Sequence, residues 1–212
     1  MSGAAILGWM AAPLMRNVLL AALSSAVLAG ASAHAQTPPP VPLAHAVIAV
    51  IGTVSGHPLH VQCGVQHGGY IDVMGHSDRR LRLIELHPGI CRRLDNLVSA
   101  PAPVGTATFA SESEAVLVAL HEAVHLSPYG AHAGEAEVEC RAVQLVASAA
   151  AHLGLSETQA AALGHAAFLF HLRLPGPGDW RVGLHEMPNY QTPDCHDGGP
   201  LDIDLESTDW PN

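Results

Sequence analysis

The chain of 212 residues contains no lysine. Its nine basic residues are all arginines, set against 19 acidic ones for a net charge of −10. That balance excludes a protein built to neutralise a phosphate backbone. Aromatic residues make up only 4% of the chain, too few for a base-stacking platform, so no nucleic-acid partner is expected. Charged residues are also scarce, at 13%, while apolar residues reach 49%, and this composition excludes a disordered chain. None of the four cysteines forms a C-x-x-C pair, which argues against a zinc–thiolate site. Beyond the N-terminal region, no apolar run is long enough to span a bilayer. The length allows one domain, or at most two small ones.

One long apolar run is present, at the start. Arg16 precedes NVLLAALSSAVLAGASAHA, and Ala33-His34-Ala35 has the A-x-A form of a signal-peptidase site. Residues 1–35 therefore read as a signal peptide, with Met15 as an alternative start. Export to a secreted or periplasmic, extracytoplasmic location follows, with no membrane span left after cleavage. Residues 36–44 form a Pro-rich leader, and 45–212 a single domain. In an exported chain the four cysteines Cys63, Cys91, Cys140 and Cys195 suggest two disulfides with three possible connectivities. The pairing Cys63–Cys91 with Cys140–Cys195 keeps one bridge in each half. Free buried thiols are the alternative.

Residues 45–86 have strand character: AHAVIAVIGTV, HPLHVQC, GGYIDVM and RLRLIEL are punctuated by glycines, Gly52 among them. They predict three or four short antiparallel strands. Pro88 opens a short helix, PGICRRLDNLV. Ser111-x-x-Glu114 reads as a capping box for a helix running to Leu126, with Ser127-Pro128-Tyr129-Gly130 as its stop. A second helix is expected from Gly134 to Leu153 and a third, capped by Ser156-x-x-Gln159, up to Pro175. The fold class is α+β, a small N-terminal antiparallel sheet followed by a helical layer.

The chemistry sits at His121-Glu122-Ala-Val-His125. Two histidines four apart on a helix project from one face, a spacing that lets both imidazoles bind one zinc. Glu122 beside them can act as general base toward a water on that metal. A catalytic zinc needs a third protein ligand and an open position. The next helix opens Gly134-Glu-Ala-Glu-Val-Glu139-Cys-Arg-Ala142, with Glu135 and Glu139 sharing a face. An antiparallel helix hairpin brings Glu135 near the level of His125 and Glu139 near that of His121.

Over residues 113–150 the chain resembles the gluzincin class of zinc metallopeptidases, in which the helix after HExxH supplies a glutamate ligand. Their small-residue rule fits Glu139-Cys-Arg-Ala142 and favours Glu139 as ligand. Their acidic-at-four rule fits Glu135-Ala-Glu-Val-Glu139 and makes Glu135 the ligand, with Glu139 behind it. Both stay open. The resemblance implies a zinc-dependent hydrolase acting on a peptide or protein substrate, with a His or Tyr (His185 or Tyr190) stabilising an oxyanion. The whole chain also resembles small exported bacterial proteins of unassigned function. The metzincin pattern HExxHxxGxxH is absent, since His132 lies seven residues beyond His125. The alternative is a non-catalytic exported protein with a structural metal or none. Asp197-Gly198-Gly199 in the tail reads as turn chemistry. Arg79-Arg80 and Arg92-Arg93 read as solvated or ion-paired, and the other thirteen histidines as dispersed.

Overall fold

The computed structural model describes residues 43–64, 74–173, 190–196 and 198–203. The expected signal peptide, most of the expected leader, all but Met74 of the expected GGYIDVM strand, and His185 lie outside them. The first departure from the sequence reading is immediate. His45–Ser55 is a helix, α1, and not a strand. Its β-branched residues lose only a few tenths of a kcal/mol each in helical conformation. Val47, Ile51 and Ser55, spaced by four, are its buried residues, and α1 packs against the central helix of the fold. That burial outweighs the propensity. Gly52 lies inside this helix, and the turn comes at Gly56, whose φ of 73° closes the helix with a bond to the Thr53 carbonyl.

Three short strands follow: β1 His60–Cys63, β2 Gly75–Asp78 and β3 Leu83–Leu86. Their order is β1-β3-β2. β2, which falls between the expected strands GGYIDVM and RLRLIEL, pairs antiparallel with β3, but β1 pairs parallel with it, with Val61 opposite Ile84. The sheet is therefore mixed, a correction to the antiparallel expectation. The chain between β1 and β2 is too long for a tight hairpin, so β2 is laid on the far side of β3. All four residues of β3 are buried.

The helical layer comprises α2 Pro88–Ser99, α3 Ala107–Leu126, α4 Glu135–His152 and α5 Glu157–His171. α3 starts a turn earlier than Ser111 suggests. Thr106 is its cap, the hydroxyl accepting from the Phe109 N–H at 3.1 Å, and the buried Phe109 anchors that first turn. Glu114 is free of capping and pairs with Arg93 at 2.9 Å. α3 packs against α1, α2, α4, α5 and β2. Enclosed on so many sides, it carries His121 and Glu122 into the interior with its apolar residues. α5 has the expected Ser156–Gln159 capping box.

Two disulfides close the structure, Cys63–Cys91 and Cys140–Cys195. Both match the favoured connectivity, and they are a mark of an oxidising compartment. The first ties β1 to α2. The second ties the segment 190–203 to α4. Among the described residues no helix is long and apolar enough to cross a membrane.

Candidate metal centre

α3 and α4 run as an antiparallel pair, joined by a tight turn. A Cβ at Gly130 would stand 1.9 Å from the Val124 carbonyl oxygen, so only glycine lets this turn close against the end of α3. Ser127 fastens it, donating to the Val124 carbonyl at 2.7 Å and accepting from the Gly130 N–H at 3.2 Å. The turn sets how α4 lies along α3, and hence which glutamate meets which histidine.

The outcome separates the two glutamates. Glu135 Oε2 lies 3.0 Å from His121 Nε2 and 3.2 Å from His125 Nε2, and the two Nε2 atoms are 3.1 Å apart. Glu139 Oε2 lies 2.7 Å from the other nitrogen of His121, Nδ1. The arrangement reverses the preference for Glu139. Glu135 shares a point with both imidazoles, while Glu139 holds the back of His121. His121, His125 and Glu135 form a group that could hold a metal ion. Ligands on a tetrahedral ion at about 2.0–2.1 Å stand about 3.3–3.4 Å from one another. The three donor atoms already lie within a few tenths of an ångström of those separations. The donor chemistry fits as well: two nitrogens, one carboxylate oxygen, and a buried carboxylate fixing one imidazole from behind.

Within the group, acidic and imidazole side chains perturb one another strongly. Burial opposes a charge on His121, but hydrogen bonds to Glu135 and Glu139 outweigh it and hold its pKa up to about 10. Glu135, bonded to both imidazoles, stays well below the usual carboxylate range. Burial works against ionised Glu139, yet its bond to His121 and the nearby His171 keep it low too. His171 Nδ1, buried and without a hydrogen bond, lies 3.8 Å from Glu139 Oε1. Burial pushes Glu122 upward, against the pull of His121, His125 and a hydrogen bond with the Ser77 side chain.

A pH dependence follows for the metal-free protein. The raised pKa of His121 gives stability that is complete below its ordinary 6.5 and lost as pH rises toward about 10. The lowered pKa values of Glu135 and Glu139 give stability that is complete above their ordinary 4.5 and lost on acidification. Metal-free protein should resist urea best between about pH 4.5 and 6.5. A metal ion must displace the His121 proton, so its affinity should rise about tenfold per pH unit from about 6 to 9. Titration calorimetry in buffers of different ionisation enthalpy checks the release of one proton. Affinity independent of pH would contradict it.

No family model, curated protein or solved structure matches the chain.

The group opens into a cleft of about 650 Å³ whose opposite wall is β2. Gly75 lies against Glu122: a Cβ there would stand 2.8 Å from its Cγ and 2.9 Å from its Oε1. The Arg79 Nε donates to the His125 carbonyl at 2.7 Å, and its Nη2 donates to the same oxygen. Tyr190 closes the third side, its ring centroid 5.8 Å from that of His121. Burial, with Glu135, Glu139 and Glu122 nearby, pushes its hydroxyl up to about 12, so it stays a neutral phenol and a donor.

Sequence reasoning missed Gly75, Ser77, Arg79 and His171. None belongs to a motif, and only the tertiary fold brings them here. His132 is exposed and outside the group. His196 is exposed and bonds the Pro193 carbonyl within its own turn. Asp197 lies outside the described residues.

Proposed function

We propose that the protein is an extracytoplasmic zinc-dependent hydrolase acting on peptide bonds. The observation that carries this reading is the convergence of two Nε2 atoms and one carboxylate oxygen, within 3.0–3.2 Å, on an open cleft. His121, His125 and Glu135 would hold the ion. Three protein ligands facing a cleft suit a catalytic site better than a structural one, where four protein ligands close the shell. Two nitrogens and one oxygen suit zinc. When bound, the metal supplies Lewis-acid polarisation of a carbonyl and acidification of water.

The remaining chemistry belongs to the side chains. Glu122 faces the same cleft from the position after His121, and its raised pKa suits a carboxylate that must accept a proton and give it back. Ser77 orients it by a hydrogen bond. The neutral Tyr190 hydroxyl is suited to donate to a carbonyl oxygen as it gains charge. Glu139 holds His121 through Nδ1 and keeps its Nε2 directed at the group. Among the described residues β2 pairs only with β3. Its other edge can add an extended peptide as a further strand and bring a backbone carbonyl past Glu122.

Metal analysis of the purified protein tests the reading first. One zinc per chain is expected, lost in His121→Ala, together with cleavage of quenched peptide substrates that a chelator stops and added zinc restores. Substoichiometric zinc unchanged in His121→Ala would overturn it. Stoichiometric zinc without cleavage of any peptide would leave a structural metal.

Gly75 provides a subtler test. In Gly75→Ala the new methyl displaces the Glu122 carboxylate, and misplacing a base by about an ångström costs up to about 10²-fold in rate. The turnover number should fall by about tenfold or more with zinc content unchanged. Wild-type turnover in this variant would show that Glu122 is not positioned by β2.

A further inference from the structure

The charges along the cleft are unevenly committed. Its carboxylates are all engaged: Asp78 accepts from the Leu81 N–H at 2.9 Å, Glu122 from Ser77, and Glu135 is bonded to two imidazoles. The cations are not. Arg79 uses Nε and Nη2 on one carbonyl oxygen, which fixes the guanidinium and leaves N–H groups over, since a guanidinium carries five. Arg80 also lines the cleft and is exposed, and no hydrogen bond or ion pair engages it among the described residues. Of the two expected states, solvated or ion-paired, the exposed Arg80 shows the solvated one.

Their position gives the charge a meaning. β2 runs beside α3 so that Gly75 meets Glu122 and Arg79, four residues on, reaches the His125 carbonyl. Arg80 follows at once, in the turn that ends β2, and lines the same cleft. The protein as a whole carries −10 and repels anions at long range. Within about 8 Å, the screening length at physiological salt, the local pair decides instead.

We propose that Arg79 and Arg80 make this a carboxylate-selective cleft, whose substrate presents an acidic side chain or a C-terminal carboxylate beside the scissile bond. The proposal rests on the peptidase reading and specifies its substrate class. Arg79 anchors the wall and Arg80 is the free recognition group. A guanidinium suits this task because its fork matches a carboxylate's two oxygens.

Peptide binding tests it separately from turnover. Zinc-loaded Glu122→Gln protein is titrated by fluorescence anisotropy with three labelled peptides of one apolar sequence. One is neutral and amidated, one carries an internal glutamate and an amide end, and one has a free C-terminal carboxylate. At least one carboxylate peptide should bind about tenfold tighter than the neutral one, and which one does so identifies the source of the carboxylate. Adding Arg80→Gln should remove most of that gain. Arg80→Glu should turn the preference toward a lysine-bearing peptide, and Arg80 is exposed, so neither change threatens folding. Equal binding of all three peptides, no binding of any, or a gain that survives Arg80→Gln would overturn the proposal. Cleavage by the wild type without carboxylate preference would leave the peptidase reading standing. Carboxylate-selective binding without cleavage would remove that reading and keep the recognition site.

Discussion

Glu122→Gln should lower peptide turnover by about 10²–10⁴-fold, the range a positioned general base contributes, while zinc content and thermal stability stay close to wild type. Glutamine keeps the shape of the side chain and its ability to accept from Ser77, but it cannot take a proton. The metal group is untouched, because its atoms come from His121, His125 and Glu135. Burial holds the Glu122 pKa above its ordinary value, so its charge in the native site is maintained against a desolvation cost. Removing that charge should leave stability unchanged or slightly higher. The measurements are the turnover number on a quenched peptide, zinc per chain, and a urea melt. Full activity in this variant would remove Glu122 from the mechanism. Loss of zinc together with activity would make it a ligand instead of a base.

Converting both Cys140 and Cys195 to serine should cost about 4 kcal/mol of stability by the loop-entropy relation, for a bridge spanning 55 residues. The bridge holds more than the unfolded chain. It ties to α4 the segment that begins at Tyr190. Hydrogen bonds also tie it down: Gln144 donates to the Leu201 carbonyl at 3.0 Å and accepts from the Ile203 N–H at 2.8 Å. Gln191 donates to the His171 carbonyl at 3.1 Å. Each contributes about 1 kcal/mol, too little to replace the bridge. The denaturation midpoint should fall, and turnover should fall further than stability explains, because Tyr190 loses its place beside His121. Removing Cys63–Cys91, with a separation of 28, is the control. It should cost about 3.5 kcal/mol and leave turnover of the still-folded fraction unchanged. Equal turnover in the two variants would dissociate Tyr190 from the chemistry.

Much of the helical layer was legible in the sequence because its signals are local. Pro88 starts α2, Ser156 and Gln159 cap α5, and Gly134 and Gly154 bracket α4. The apolar run of α1 was not. A stretch of Val, Ile and Ala is compatible with a buried strand or a buried helix, and only the packing of Val47 and Ile51 against α3 selects between them. The parallel pairing of β1 was hidden for a related reason. It depends on the chain passing β3 and returning on its other side, which no turn residue encodes. Thr106 is hard to see as a cap because Ser111-x-x-Glu114 is a stronger local pattern.

The same division runs through the candidate site. The sequence by itself determined the candidate donors: helical spacing places His121 and His125 on one face of α3 and Glu135 and Glu139 on one face of α4, and four-residue periodicity needs no tertiary information. Only the tertiary structure decided their roles. Glu135 meets both Nε2 atoms and Glu139 meets Nδ1 because of the rotation and offset of α4 along α3. Those are set by a turn in which Gly130 closes on the Val124 carbonyl. The wall opposite comes from a strand, with Gly75 and Ser77, and from the turn after it, with Arg79 and Arg80, more than forty residues earlier. Pairing at that separation is settled by the burial of β3 and by the packing of the sheet on α3, and neither leaves a local trace in the chain.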